Sequence, residues 1–184
     1  MLSYDRLVIA TGGGLHTPIA GHDLPGVYNF KSLSAAQQLV EGVRAGRIRS
    51  AAIVGAGFIG VELALLLQDL GVAVTMVEME DRLMWRMLEP ETAEIVLENV
   101  RARGVEVRLN TRAEAFVGER NVTGVKLDSG EELDADAYIA ATGVKPAIEW
   151  LQGSGVDTSW GVIVDDLQRT NIADIYAAGD VAET

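Results

Sequence analysis

The hydrophobic pattern changes period around residue 55. Ala51-Ala52-Ile53-Val54 is an unbroken apolar run, the mark of a strand covered on both faces, and the segment 61–67 is apolar at helical length. Between them stands Gly55-Ala56-Gly57-Phe58-Ile59-Gly60. A second apolar run, 72–77, ends at Glu78, so residues 49–78 predict a strand, a helix and a second strand parallel to the first. Pro90 opens another helical pattern carried by Ile95, Val96, Leu97 and Val100, and Gly104 closes it. The alternating stretch 105–109 predicts a third parallel strand. Three short runs then follow, at about 113–118, 122–127 and 131–133, separated by polar glycine-containing turns, and these predict an antiparallel meander. Tyr138-Ile139-Ala140-Ala141 is again continuous and apolar, and it reads into Thr142-Gly143.

The ends of the chain are less periodic. Residues 5–11 predict a buried strand entering Gly12-Gly13-Gly14, and a loop marked by Pro18, Gly21, Pro25 and Gly26 comes next. From Ser34 to about Gly46, Leu39, Val40 and Val43 fit a helix with Ser32 or Ser34 as its cap. A mixed region with Trp150, Leu151 and Trp160 precedes the run 172–178, which ends in Gly179-Asp180. Ile9-Ala10-Thr11-Gly12 and Ala140-Ala141-Thr142-Gly143 echo one another at two strand ends.

The glycine run gains meaning from its flanks. Strand before, helix after and an acid closing the second strand, at close to the spacing of about 20 residues, are the conditions under which Gly-x-Gly-x-x-Gly grips a dinucleotide diphosphate. Gly55 permits the tight turn, Gly57 lets the backbone approach the diphosphate, and Gly60 allows helix and strand to pack closely. The helix N-terminus offers unpaired N–H groups and the positive end of its dipole, so no basic side chain is needed. Glu78 is expected to accept hydrogen bonds from the adenosine ribose hydroxyls and to repel a 2′-phosphate. That favours NAD(H) over NADP(H), with Arg82 near enough in sequence to soften the preference.

Composition narrows the partners. The 184 residues are 48% hydrophobic, enough for a real core, and the formal net charge of −12 argues against nucleic acid or an anionic membrane surface. Cysteine is absent, which removes disulfides, thiolate metal sites and redox-active thiols from this chain. The apolar run 7–10 is too short for a signal-peptide core and nothing approaches a membrane span, so a cytoplasmic location is the default expectation.

No catalytic constellation stands out. None of Tyr4, Tyr28, Tyr138 or Tyr176 has a lysine four residues later, no nucleoside-triphosphatase loop is present, and His16 and His22 lie in a glycine- and proline-rich loop. A dinucleotide site without an acid, base, nucleophile or metal is the pattern of a hydride relay, in which the cofactors carry the chemistry and the protein supplies position and electrostatics.

Four segments taken in order carry a resemblance: 9–12, the run 55–62, Ala140-Ala141-Thr142-Gly143-Val144-Lys145-Pro146, and Thr170 followed by 175–180. The chain resembles the pyridine nucleotide-disulfide oxidoreductases, two-dinucleotide flavoproteins that include NADH oxidases, ferredoxin and rubredoxin reductases and the flavoprotein part of nitrite reductase. The resemblance implies an α/β fold: a Rossmann-like three-layer NAD-binding domain with a parallel sheet and an antiparallel β-meander, inserted into pieces of an FAD-binding domain. It divides the chain into a first FAD-domain segment with linker helix at 1–47, an NAD(H)-binding domain at 48–146 and a returning FAD-domain segment at 147–184. It implies that Gly55, Gly57, Phe58, Ile59 and Gly60 form the NAD diphosphate loop, that Glu62 reaches toward the nicotinamide end, that Glu78 is the ribose acid, and that Gly143 and Val144 line the nicotinamide pocket. Thr11, Gly12, Gly179 and Asp180 correspond to FAD contacts, with Asp180 matching the acid that accepts a hydrogen bond from the ribityl chain.

The family's first FAD-binding βαβ unit and its dimerisation domain have no counterpart in these 184 residues. The expectation is therefore a part of a larger flavoprotein that passes a hydride from NADH to FAD and onward to an unidentified electron acceptor, itself binding NAD(H) weakly, with weak flavin affinity and no turnover of its own. A freestanding NAD(H)-binding or sensor module is the alternative from another class, and a flavin-free dehydrogenase of the same fold is a third.

Overall fold

The computed structural model describes residues 3–29 and 33–184. In chain order the elements are β1 (Leu7–Ile9), β2 (Gly13–Leu15), β3 (Val27–Tyr28), α1 (Leu33–Arg44), β4 (Ser50–Val54), α2 (Phe58–Asp69) and β5 (Ala73–Val77). Next come α3 (Pro90–Ala102), β6 (Glu106–Arg108), β7 (Ala113–Val117), β8 (Gly124–Leu127), β9 (Glu132–Leu133) and β10 (Ala137–Ala140). The chain closes with β11 (Val144–Pro146), a 3₁₀ turn at Glu149–Leu151, β12 (Val162–Ile163), β13 (Ile175–Ala177) and β14 (Ala182–Glu183). Two compact units result: Thr17–Gly143, and the stretch up to His16 together with Val144–Thr184.

The larger unit is built on a five-stranded sheet in the order β3-β10-β4-β5-β6, with every neighbouring pair parallel. Alternate residues of each strand enter different cores. Ala51 and Ile53 of β4, Val74 and Met76 of β5 and Ile139 of β10 pack with Leu39, Val61, Ala64, Leu67, Leu97 and Val100 of the helices. Ala52, Val54, Val77, Tyr138 and Ala140 pack instead with Phe116, Val125, Leu127 and Leu133 of the meander β7-β8-β9. Both faces of the sheet are thus covered, the physical reason that β4 and β10 read as continuous apolar runs and not as alternating ones. Helices lie on one face and a second sheet on the other, which gives the three layers that the resemblance implies.

Polar groups set the register at the starts of β4 and β10. Asp136 Oδ2 accepts from the backbone N–H groups of Arg49 (2.9 Å) and Ser50 (3.0 Å) and from the Ser50 hydroxyl (3.1 Å), and Ser50 Oγ in turn accepts from the Asp136 N–H (3.0 Å). These bonds, the Arg49 N–H first, hold the Asp136 carboxyl below the ordinary carboxylate range. On the meander side the buried Tyr138 hydroxyl accepts from the Ala135 N–H at 2.9 Å and donates to the Thr123 carbonyl, tying β10 to the turn before β8.

The smaller unit pairs β1 with β13 and β12 with β14 in parallel, and β2 with β11 antiparallel, over a core of Ile9, Leu151, Val162, Val164, Ala177 and Val181. Several expectations change here. The segment 5–11 is a three-residue strand whose middle residue, Val8, is 60% exposed, since its two-stranded sheet covers only one face. The glycine cluster, for which the sequence predicts no element, contributes strand β2: a Cβ on Gly13 would stand 2.3 Å from a Val144 methyl and 2.9 Å from the Lys145 carbonyl oxygen, so β2 and β11 meet only because position 13 has no side chain.

The two compact units have limits of their own. Residues 17–47, expected with the first flank, belong to the larger unit, because Val27 and Tyr28 pair with β10 and Leu39 enters the helix-side core. Residues 144–146 leave the expected 48–146 block because β11 pairs with β2. Ser34 falls inside α1, which begins at Leu33, and the alternative cap Ser32 lies outside the described residues. Pro90 does open α3, and Gly104 follows its end with φ +91°.

Tyr138→Phe is expected to lower unfolding stability by about 1–3 kcal/mol, measured by urea titration, because it removes two part-buried hydrogen bonds, the one from the Ala135 N–H and the one to the Thr123 carbonyl. Asp136 makes a separate, pH-dependent contribution. Its pKa is depressed in the folded state, so the stability is present above the unfolded value of about 3.9 and is lost as pH falls through the folded value. Asp136→Asn should therefore lower stability at neutral pH and flatten the acid limb of a thermal melt series.

Candidate functional site

Sheet order locates the site. From β4 the chain adds β5 and β6 on one side, then returns to add β10 on the other, so β4 and β10 flank the point where strand order reverses. In open parallel sheets ligands bind beyond the carboxyl ends of the strands at such a point. The glycine run leaves β4 there, beside the Ala141-Thr142-Gly143 turn that leaves β10.

Each glycine meets different surroundings. Gly55 turns with φ +102°, donates its N–H to the Val77 carbonyl at 2.8 Å, and passes so close to β10 that a Cβ would stand 2.5 Å from the Ala141 oxygen. A Cβ on Gly60 would stand 2.1 Å from the Gly55 oxygen. Gly57 differs, being the N-cap of α2 with φ −73°, and a Cβ there would meet nothing within 4 Å. The fold therefore requires no side chain at 55 and 60, whereas at 57 it leaves open space at the helix start. At that opening the backbone is bare, and the first turn of α2 carries no carboxylate that would oppose an anion at the helix start.

Around this opening the side chains are mixed. Phe58 and Ile59, 57% and 41% exposed, present apolar surface on the first turn of α2. Glu62, one turn further, is exposed, with no hydrogen-bond or ion-pair partner among the described residues. Glu78, 8% exposed, is the one buried charged residue among those described. Its Oε2 accepts from the Ala56 N–H at 2.7 Å and its Oε1 from the Glu80 N–H at 3.0 Å. The Ala56 carbonyl accepts from the Met84 N–H at 2.9 Å, and Met84 itself sits at φ +49°. Arg82 gives Nη1 to Asp81 at 3.0 Å and buries an unpaired Nε. Gly143 is exposed at φ +123° with open space where a Cβ would be.

The remaining candidates belong to the smaller unit. Thr11-Gly12 and Gly179-Asp180 follow the carboxyl ends of the parallel pair β1 and β13. Ala178 N–H donates to Ile9 O at 3.0 Å, the Thr11 hydroxyl donates to Ala147 O at 3.3 Å, and Ala147 N–H donates to Gly12 O at 3.0 Å. Gly12 and Gly179 both have positive φ, at +66° and +80°, and Asp180 is exposed. Val144 sits in β11 opposite Leu15. Sequence reading singled out the glycines and Glu78 but not Ala56, Glu80 or Met84, whose contribution is backbone alone and leaves no side-chain signal.

Among the described residues no cluster of His, Cys, Asp or Glu is arranged to hold a metal, and no helix is long and apolar enough to cross a membrane. A parallel sheet with a glycine loop at its switch point defines a dinucleotide-binding fold. The model of the pyridine nucleotide-disulphide oxidoreductase family matches residues 1–184, and the chain belongs to that family. It is 36% identical to an NADH oxidase of Methanocaldococcus jannaschii over 184 residues, 99% of this chain and 41% of that protein. To the electron transfer subunit of the assimilatory nitrate reductase of Bacillus subtilis it is 34% identical over 183 residues, 99% of this chain and 24% of that one. Among solved structures it matches an NAD-dependent persulfide reductase from A. fulgidus with TM-score 0.91 and 38% identity, covering 100% of this chain and 34% of that one. A water-forming NADH oxidase from Lactobacillus brevis bound to NADH matches with TM-score 0.88 and 30% identity, covering 98% and 40%. The chain thus spans less than half the length of each of these relatives.

Gly60→Ala is expected to destabilise the protein, read as a lowered thermal midpoint without any ligand, because its Cβ would overlap backbone that cannot yield without opening the turn between β4 and α2.

Proposed function

We propose that this chain is the NAD(H)-binding part of a flavin-dependent oxidoreductase, in which a hydride passes from NADH to FAD and the electrons leave to a separate acceptor. The observation that carries the reading is the space at Gly57. Among the described residues nothing comes within 4 Å of a Cβ placed there, the first backbone N–H groups of α2 lie at that helix start, and a buried acid stands at the end of the neighbouring strand.

NADH supplies the hydride when bound; the protein's share is to hold and orient. The N-terminal N–H groups of α2 face the diphosphate, and the exposed Phe58 and Ile59 give an apolar wall beside it. Glu78 accepts from the ribose hydroxyls through the lone pairs its backbone bonds leave free, and its charge disfavours a 2′-phosphate. Glu62 and the strand end at Gly143 and Val144 address the nicotinamide half. Thr11, Gly12, Gly179 and Asp180 are the flavin-side residues, Asp180 as the acceptor for a ribityl hydroxyl. Relatives named as ferredoxin and rubredoxin NAD(+) reductases support an electron-carrier protein as the acceptor class.

Gly57→Ala tests the site against the fold. Because its Cβ meets nothing, the thermal midpoint without ligand should hold while NADH affinity, followed by fluorescence titration, falls by about tenfold or more, equivalent to about 1.4 kcal/mol. Unchanged affinity would remove the diphosphate from this loop. Titrating NADH and NADPH side by side should show tighter NADH binding, and equal affinities would end the case for NAD(H).

A further inference from the structure

Glu78 is placed for more than ribose recognition. We propose that it is a positioning residue for the diphosphate loop, acting through Ala56; this rests on the reading of that loop given above. Ala56, the second residue of the glycine run, is fully buried with its side chain in the helix-side core. Its backbone is gripped from both sides by the segment that follows β5. The Glu78 carboxylate accepts from the Ala56 N–H at 2.7 Å, and the Met84 N–H donates to the Ala56 carbonyl at 2.9 Å. Glu78 is in turn held by the Glu80 N–H at 3.0 Å, and Met84 keeps a left-handed backbone, unusual for a residue with a side chain, with Leu88 N–H returning to its carbonyl at 3.0 Å. Residues 78–84 therefore form a clasp on the loop. The bond to Ala56 is charge-assisted and shielded from water, where such bonds are strongest.

Two consequences separate this role from ribose binding. The Ala56 N–H is already committed to Glu78, so the diphosphate relies on N–H groups further along, and their aim depends on where Ala56 is held. A carboxylate close to an anion site also opposes the anion by charge alone. If Glu78 only met the ribose, removing it would leave binding of a ribose-free diphosphate unchanged or improve it; as a clasp, its removal weakens that binding in spite of the charge lost.

The probe is inorganic pyrophosphate, titrated by calorimetry into the wild-type chain, Glu78→Ala and Glu78→Gln at neutral pH, with NADH in parallel. Pyrophosphate affinity is expected to fall at least fivefold in Glu78→Ala and to be intermediate in Glu78→Gln, whose single amide oxygen can accept only one of the two N–H bonds. Amide hydrogen exchange at Ala56 should speed up in Glu78→Gln, a measurement that serves even if the alanine variant does not fold. Pyrophosphate binding in both variants as tight as in the wild type, with only NADH affinity reduced, would overturn the clasp and leave the ribose role standing. Failure of the wild type to bind either ligand would instead overturn the loop assignment itself, and the clasp with it.

Discussion

The larger unit depends on a close approach of three pieces of backbone at Gly55. The residue turns out of β4 at φ +102°, lies against the carbonyl of Ala141 at the end of β10, and is overlain by Gly60 in the first turn of α2. None of these contacts tolerates a Cβ. Because β4 and β10 are neighbours in the sheet, that approach also determines how far α2 can descend onto it, and hence where Val61, Ala64 and Leu67 meet Ile53 and Ile139 in the helix-side core. Core packing and the opening at the helix start are two results of one constraint.

From that constraint the electrostatics follow. A helix start brought to the switch point of the sheet presents unpaired N–H groups, and an all-parallel arrangement puts the ends of β4, β5 and β10 on the same edge. Glu78 comes to this edge because it ends β5, and it is tolerated there, buried and charged, because two backbone N–H groups reach it. The chain carries a formal net charge of −12, and at this helix start the positive end of the backbone dipole comes without any lysine or arginine in the first turn.

The opposite edge of the same sheet solves a mechanical problem. Asp136 and Ser50 exchange hydrogen bonds across the starts of β10 and β4, two strands far apart in sequence that must pair in one register for Gly55 to face Ala141. Arg108, on the edge strand β6, is held by Glu131 and Glu106, which raise its pKa further and tie that edge to the turn between β8 and β9. The meander is thus fastened to the sheet through Tyr138 and through Arg108 as well as through its apolar face.

The sequence by itself determined the βαβ unit, α3, the meander and β10, because each carries a local signal: an apolar run of the right length, a proline or glycine at a boundary, a glycine spacing set between a strand pattern and a helix pattern. It likewise singled out Gly55, Gly57, Gly60 and Glu78. Only the tertiary structure decided the assignment of 17–47 to the larger unit, the pairing of Gly13 to Leu15 with Val144 to Pro146, and the grip of Glu78 and Met84 on Ala56. Those features are made by strands of two or three residues and by backbone groups distant in sequence. A strand that short has no period to read, and a backbone N–H is the same at every residue until the fold selects its partner.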